Sequence, residues 1–214
     1  MTIGAAPRSD LTGALRAALD DVDVIEVGAL DDLPDDVVPP PPAADGYPLT
    51  TRRRDGRVLT ADEAWLGPRV AEAIDRAQAG GASVLVLLCA GGFASVTARR
   101  PLIRPFDVAI SRLRDLGARR IGVLVPIEAQ VVPSRAKWTA AGFDAVLMVG
   151  TPADVGRLTG PDARSVDIGV EAIVLDYVGH PAAVVAGAEA LASPIPVIDL
   201  LAASIEAVVA TMRP

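Results

Sequence analysis

The 214-residue chain is 51% hydrophobic but only 3% aromatic, so its core must be built mostly from Ala, Val, Leu and Ile. A net charge of −7 argues against a nucleic-acid or anionic-membrane partner. A single cysteine, Cys89, rules out an internal disulfide, and a single histidine, His180, argues against a structural zinc site.

MTIG at the start reads as the edge of a strand. SDLTGALRAALDD (9–21) has helical spacing, with Ser9 or Asp10 placed to cap it. VDVIEV (22–27) is the first full strand expected. Residues 30–60 break the pattern, with six prolines between 34 and 48, acidic residues before them and arginines after. Prolines favour stiff, extended backbone, so this stretch is a disordered or surface loop, or else a lid or a dimer arm. TRRRDGRVLT closes it as a hairpin turning on Asp55-Gly56, which puts Arg52 and Arg54 on one face.

TADEAWLGPRVAEAIDRAQAGG (60–81) reads as a helix, with Thr60 and Glu63 at capping-box spacing and Gly80-Gly81 at its end. SVLVLLC (83–89) is an apolar strand running into Cys89, and FDVAISRLRDLGA (106–118) is the next helix. RIGVLVP (120–126), DAVLMVG (144–150) and EAIVLDY (171–177) read as buried strands, IPVIDL (195–200) as a weaker one. PAAVVAGAEALA (181–192) and LLAASIEAVVATM (200–212) complete the helices. Strand and helix alternate along nearly the whole chain, which predicts an α/β fold with a mainly parallel sheet and helices on both faces. Ligands of such sheets sit beyond the carboxyl ends of the strands, at a topological switch point.

The strand ends therefore supply the candidates. Cys89 is followed by Ala-Gly-Gly, and bent backbone at Gly91 and Gly92 can turn successive N–H groups inward as an anion nest. A helix beginning near Ser95 would favour the thiolate. Equally, Cys89 is a small hydrophobe closing a buried strand. Arg8 suits bidentate carboxylate binding or simple solvation. Ser9, Asp10, Ser95 and Thr97 divide between capping and site roles. Glu128 and Gln130 follow the strand ending at Pro126 and either reach a ligand or lie exposed. Asp176, at a strand end, needs a partner or water. His180 reads equally as a proton donor or ligand contact at neutral pH and as a loop or N-cap histidine.

Five stretches taken in order, TIGAAPRSD, YPLTTRRRDG, LLCAGGF, IGVLVPIEAQ with KWTAAGFD, and VLDYVGH, resemble the AroM family, itself similar to the aspartate/glutamate/hydantoin racemase superfamily. The resemblance implies two similar Rossmann-like α/β half-domains with a cleft between them. The first is 1–117, with the proline-rich arm and hairpin at 30–60. The second is 118–214, its last helix packing back on the first. Racemases of that group place one cysteine on each half, at opposite sides of the substrate α-carbon, and need no metal or organic cofactor. Cys89 falls at the first position. Tyr177 stands at the second, where many relatives have cysteine, so two-thiol racemisation is excluded. Single-thiol decarboxylases of the superfamily protonate an enolate with one cysteine, though they keep the other position.

What the resemblance implies is cofactor-independent proton transfer at the α-carbon of a small carboxylate, by an isomerase, racemase or decarboxylase. Cys89, with Tyr177 or His180 opposing it, would move the protons. Arg8, Ser9, Arg52, Gly91, Gly92, Glu128 and Asp176 would hold the substrate. The alternative is a carboxylate-binding or regulatory protein that lost the chemistry with the second cysteine. A cysteine hydrolase built on Cys89 and His180 is a third reading, with no acidic orienter at a known spacing. A small carboxylate ligand is expected, and the proline-rich arm hints at a homodimer. No nucleic acid, membrane, metal or cofactor is expected. The chain opens with no signal peptide and no apolar run long enough to span a bilayer, so a soluble cytoplasmic protein is the default.

Overall fold

The computed structural model describes residues 1–19, 22–34, 36–159 and 169–213. The chain forms two compact units, one of Met1–Pro105 with Ser204–Pro214 and one of Phe106–Ala203.

In the first unit, helix α1 (Ser9–Ala18) is followed by strands β1 (Pro48–Arg52) and β2 (Val58–Asp62), helix α2 (Glu63–Ala79), and short strands β3 (Leu85–Val86) and β4 (Leu102–Ile103). β1 and β2 pair antiparallel, Pro48 opposite Asp62, and the expected turn pair is in place with Gly56 at φ +85°. Helix α2 buries Leu66, Val70, Ile74 and Ala77, the one-face spacing of an amphipathic helix, and ends at Gly81 with φ +92°. Burying each of Leu66, Val70 and Ile74 is worth about 1.5–3 kcal/mol.

The parallel pairing of this unit is sparse but ordered. Thr2 bridges Gly28 on one side and Leu88 on the other, both parallel, and β3 pairs parallel with β4. Counting these segments along the chain, their order in space is 2-1-3-4. The Asp31 carboxylate ties the first two together, accepting the N–H of Ala6 and of Gly28 at 2.7 Å each.

The second unit holds most of helix α3 (Pro105–Asp115), then β5 (Arg120–Val125), α4 (Val131–Ala140), β6 (Asp144–Val149), the single turn α5 (Gly156–Thr159), β7 (Ala172–Leu175), α6 (Ala182–Ala192) and β8 (Val197–Asp199). Helix α7 (Leu200–Met212) begins in this unit, and its residues from Ser204 onward belong to the first. The sheet order is β6-β5-β7-β8, all parallel, which is again 2-1-3-4. Its central strands β5 and β7 are buried almost throughout, as continuous apolar runs require when both faces are covered. The expected α/β architecture with parallel sheets is therefore present. Among the described residues, no helix is long and apolar enough to cross a membrane.

Several local expectations are corrected. VDVIEV forms no strand; only Gly28, just beyond it, bridges Thr2. Its Glu26 instead turns to α1, accepting from the Arg8 N–H and from Thr12 Oγ1. Neither Ser9 nor Asp10 caps α1; the cap position is Arg8, without a side-chain cap bond. The carboxyl end of that expected helix, Asp20 and Asp21, lies outside the described residues. Thr60 and Glu63 form no capping box, since Asp62 caps α2 by accepting from the Ala64 N–H at 2.8 Å. Helix α4 was not anticipated, because its buried residues Ser134 and Trp138 make no apolar stripe.

Candidate active site

Cys89 follows β3 and sits in the apolar core of the first unit, 5% exposed and in no disulfide. Its amide donates to the Leu87 carbonyl at 2.8 Å, a tight turn that ends the strand. Its sulfur accepts the Gly91 N–H at 3.3 Å. The glycine loop does form a nest, but the chain's own carboxylate fills it. Glu63 accepts from Gly92 at 3.0 Å and from Phe93 at 2.9 Å. Gly92 is thus already engaged, a connection across 29 residues that spacing could not reveal.

The expected carboxylate clamp is similarly occupied. Arg8 donates to Asp10 from Nε and Nη2, at 2.8 and 2.6 Å. Those bonds hold the Asp10 carboxyl below the usual carboxylate range, burial opposes them, and the charges of Arg8 and Arg52 act with them. Arg52 ends β1, exposed, and its carbonyl accepts the Ala5 N–H at 3.0 Å. Arg8, Asp10 and Arg52 therefore gather where the first strand segment ends, with Ser9 exposed beside them. Arg54, expected on the Arg52 face, donates to the Asp31 carbonyl. Arg53 donates to the Pro34 and Val37 carbonyls and so pins one end of the proline-rich stretch. Asp62 holds the other end through the Ala43 N–H at 3.1 Å.

In the second unit, Asp176 has the partners that an aspartate at a buried strand end needs. Its side chain is fully buried and accepts from Ser134 Oγ at 2.6 Å, Lys137 Nζ at 2.9 Å to each oxygen, and Trp138 Nε1 at 3.2 Å. A buried carboxylate is tolerated only when so paired. It ties the end of β7 to α4. Tyr177 is half-buried, and its ring lies 5.3 Å from that of His180.

Asp199 was missed. It ends β8, caps α7 by accepting from the Ala202 N–H at 2.8 Å, and is 7% exposed, with Oδ2 buried and lacking a hydrogen-bond partner. Burial raises its carboxyl above the ordinary range, against the pull of the Ala202 N–H and of His180. Burial lowers the His180 imidazole, and the Asp199 charge opposes that. The only sequence cue was an aspartate at a strand-to-helix junction, which capping alone explains. Glu128 stands exposed on the single 3-10 turn after β5, near none of these by any hydrogen bond among the described residues.

Cys89 and Tyr177 correspond between the units. Leu88 and Asp176 each donate to a carbonyl of the first strand, Met1 and Leu124 respectively. Cys89 and Tyr177 follow them, and each donates back two residues at 2.8 Å. Both therefore leave the third segment of a 2-1-3-4 order beside the first, a sheet in the second unit and a set of isolated bridges with β3 and β4 in the first, where the direction of winding reverses and α/β sheets take their ligands. Among the described residues no three of His, Cys, Asp and Glu converge as a metal site.

The AroM protein family model matches residues 1–211. No curated protein matches the chain. Among solved structures, arylmalonate decarboxylase is similar with a TM-score of 0.62 at 18% identity, covering 98% of this chain and 91% of its own. Allantoin racemase from Klebsiella pneumoniae gives 0.59 at 18%, covering 98% and 85%. A maleate cis-trans isomerase from Nocardia farcinica gives 0.57 at 16%, covering 99% and 92%. At such identities the likeness is one of fold alone.

Proposed function

The chain belongs to the AroM family, and from that premise we propose that it transfers a proton at the α-carbon of a small carboxylate, without a cofactor, using Cys89 as the proton carrier. The observation that carries this is the position of the chain's single thiol, at the carboxyl end of the third strand beside the first, with a backbone N–H directed at its sulfur. The neighbours in fold support the reaction class, being a decarboxylase, a racemase and an isomerase by name.

The chemistry is a single shuttle. The thiolate takes the α-proton, an S–H bond forms, and the C–H electron pair moves onto the carboxylate as an enediolate. The S–H hydrogen exchanges with solvent, and delivery of the solvent-derived proton back to the α-carbon gives exchange. In a decarboxylation the C–C pair takes the same course, carbon dioxide leaves, and the thiol protonates the enediolate. Arg52 is assigned to the substrate carboxylate, because Arg8 is committed to Asp10. The second proton carrier is assigned to Tyr177 and His180. Of the two, an imidazole is the group that most readily gives and takes a proton near neutral pH.

A second reading is favoured by one observation: Glu63 already fills the Gly92 and Phe93 amides. On that reading the chain binds a carboxylate and does not turn it over. Proton NMR in deuterium oxide, with a panel of small carboxylic acids, separates the two. Loss of an α-proton resonance supports catalysis. Binding shifts without any loss, at saturation, support the binding protein.

A further inference from the structure

Glu63 is the first residue of α2, and its carboxylate reaches the loop after Cys89. One oxygen accepts from Gly92 and the other from Phe93. Phe93 has φ +43°, a left-handed conformation that is costly for a bulky residue. Two hydrogen bonds to a charged acceptor offset that cost, and the Phe93 ring is 1% exposed in the core. Gly91 is locked between the same groups. A Cβ there would lie 2.8 Å from Glu63 Oε2 and 2.8 Å from Phe93 Cε2. The Gly91 N–H, so held, points at Cys89 Sγ.

We propose that Glu63 is a positioning residue for Cys89: its carboxylate holds the Gly91–Phe93 loop so that the Gly91 N–H stays directed at the thiol sulfur. The proposal deepens the proton-carrier reading and rests on it. A donor at that sulfur stabilises the thiolate over the thiol, and thiolate is the form that accepts a proton. Glu63 acts through the loop, so its effect opposes that of its charge. A bare carboxylate near sulfur would disfavour the thiolate, whereas a carboxylate that orders the donor favours it.

Glu63→Gln tests this, because glutamine keeps the length but turns an NH2 toward one of the two amides. The ultraviolet absorbance of the thiolate, read against pH, reports on Cys89 alone among thiols. We expect its pKa to rise by about one unit, the worth of one charge-assisted hydrogen bond. A fall, as removal of charge alone would give, or no change overturns the proposal. If the variant does not fold, the wild-type protein decides. The amide protons of Gly92 and Phe93 should shift together as acid protonates Glu63, and that of Gly91 should follow; an unmoved Gly91 overturns it. Neither readout needs turnover. A raised thiol pKa without α-proton exchange removes the catalytic reading and keeps the positioning role, and exchange without the shift does the reverse.

Discussion

Cys89 and Tyr177 stand at the same step of the same backbone turn, one in each unit, each donating its N–H to the carbonyl two residues earlier at 2.8 Å. The repeated 2-1-3-4 order makes the two positions equivalent although the side chains differ. A thiol thus occupies one and a phenol the other.

That equivalence predicts the effect of replacing the phenol. Tyr177→Cys should exchange α-protons faster than the wild type at neutral pH, on the order of tenfold, because a free thiol near 8.5 is better matched than a phenol near 10. Deuterium incorporation measured side by side gives the comparison. A slower variant would contradict the equivalence.

Two neighbouring glycines should respond oppositely to alanine. A Cβ at Gly91 meets Glu63, Phe93 and Leu49 at 2.8, 2.8 and 3.0 Å, whereas one at Gly92 meets nothing within 4 Å. Gly91→Ala should lose about 1–3 kcal/mol in urea unfolding, and Gly92→Ala should stay within about 0.5 kcal/mol of the wild type.

The buried pair of Lys137 and Asp176 makes a stability prediction. Their side chains are 10% and 0% exposed. Lys137→Met leaves the carboxylate with Ser134 and Trp138 but without its cation, and should cost about 3–5 kcal/mol. Replacing both at once, Lys137→Met with Asp176→Leu, should cost less than the single change. Denaturant midpoints for the set check this.

Asp199 and His180 predict a pH dependence of opposite signs. The His180 imidazole lies below 6.5 because of burial, so the unfolded chain takes up that proton first, and stability falls as the pH drops below 6.5. The Asp199 carboxyl lies above 3.8, also because of burial, so its contribution is present at low pH and lost as the pH rises through the folded value. Asp199→Asn, which keeps an oxygen for the Ala202 N–H, should therefore melt at or above the wild-type temperature at pH 7, with the advantage fading in acid. His180→Gln should flatten the loss below pH 6.5. Thermal melts across that range report both.

The legible parts of the sequence were those where local pattern and tertiary environment agree. RIGVLVP, DAVLMVG and EAIVLDY are continuous apolar runs and each is a strand; the first and third are the buried central strands β5 and β7, and the second is the half-buried edge strand β6. VDVIEV has the same propensity but no partner strand beyond Gly28, and its Glu26 is drawn to α1. Cys89 stands out as a candidate in the sequence because it ends an apolar run and glycines follow it. Its setting does not, because Glu63 lies 29 residues from Gly92 and its helix-start position suggested capping. Asp199 escaped for a like reason: what distinguishes it is a buried oxygen without a partner, which spacing does not encode.

The most direct test of the central claim follows α-proton exchange in deuterium oxide for the wild type beside Cys89→Ala, with circular dichroism confirming that both are folded. The account predicts incorporation into at least one small carboxylic acid by the wild type and none above background by Cys89→Ala. Equal incorporation by the two proteins would contradict it.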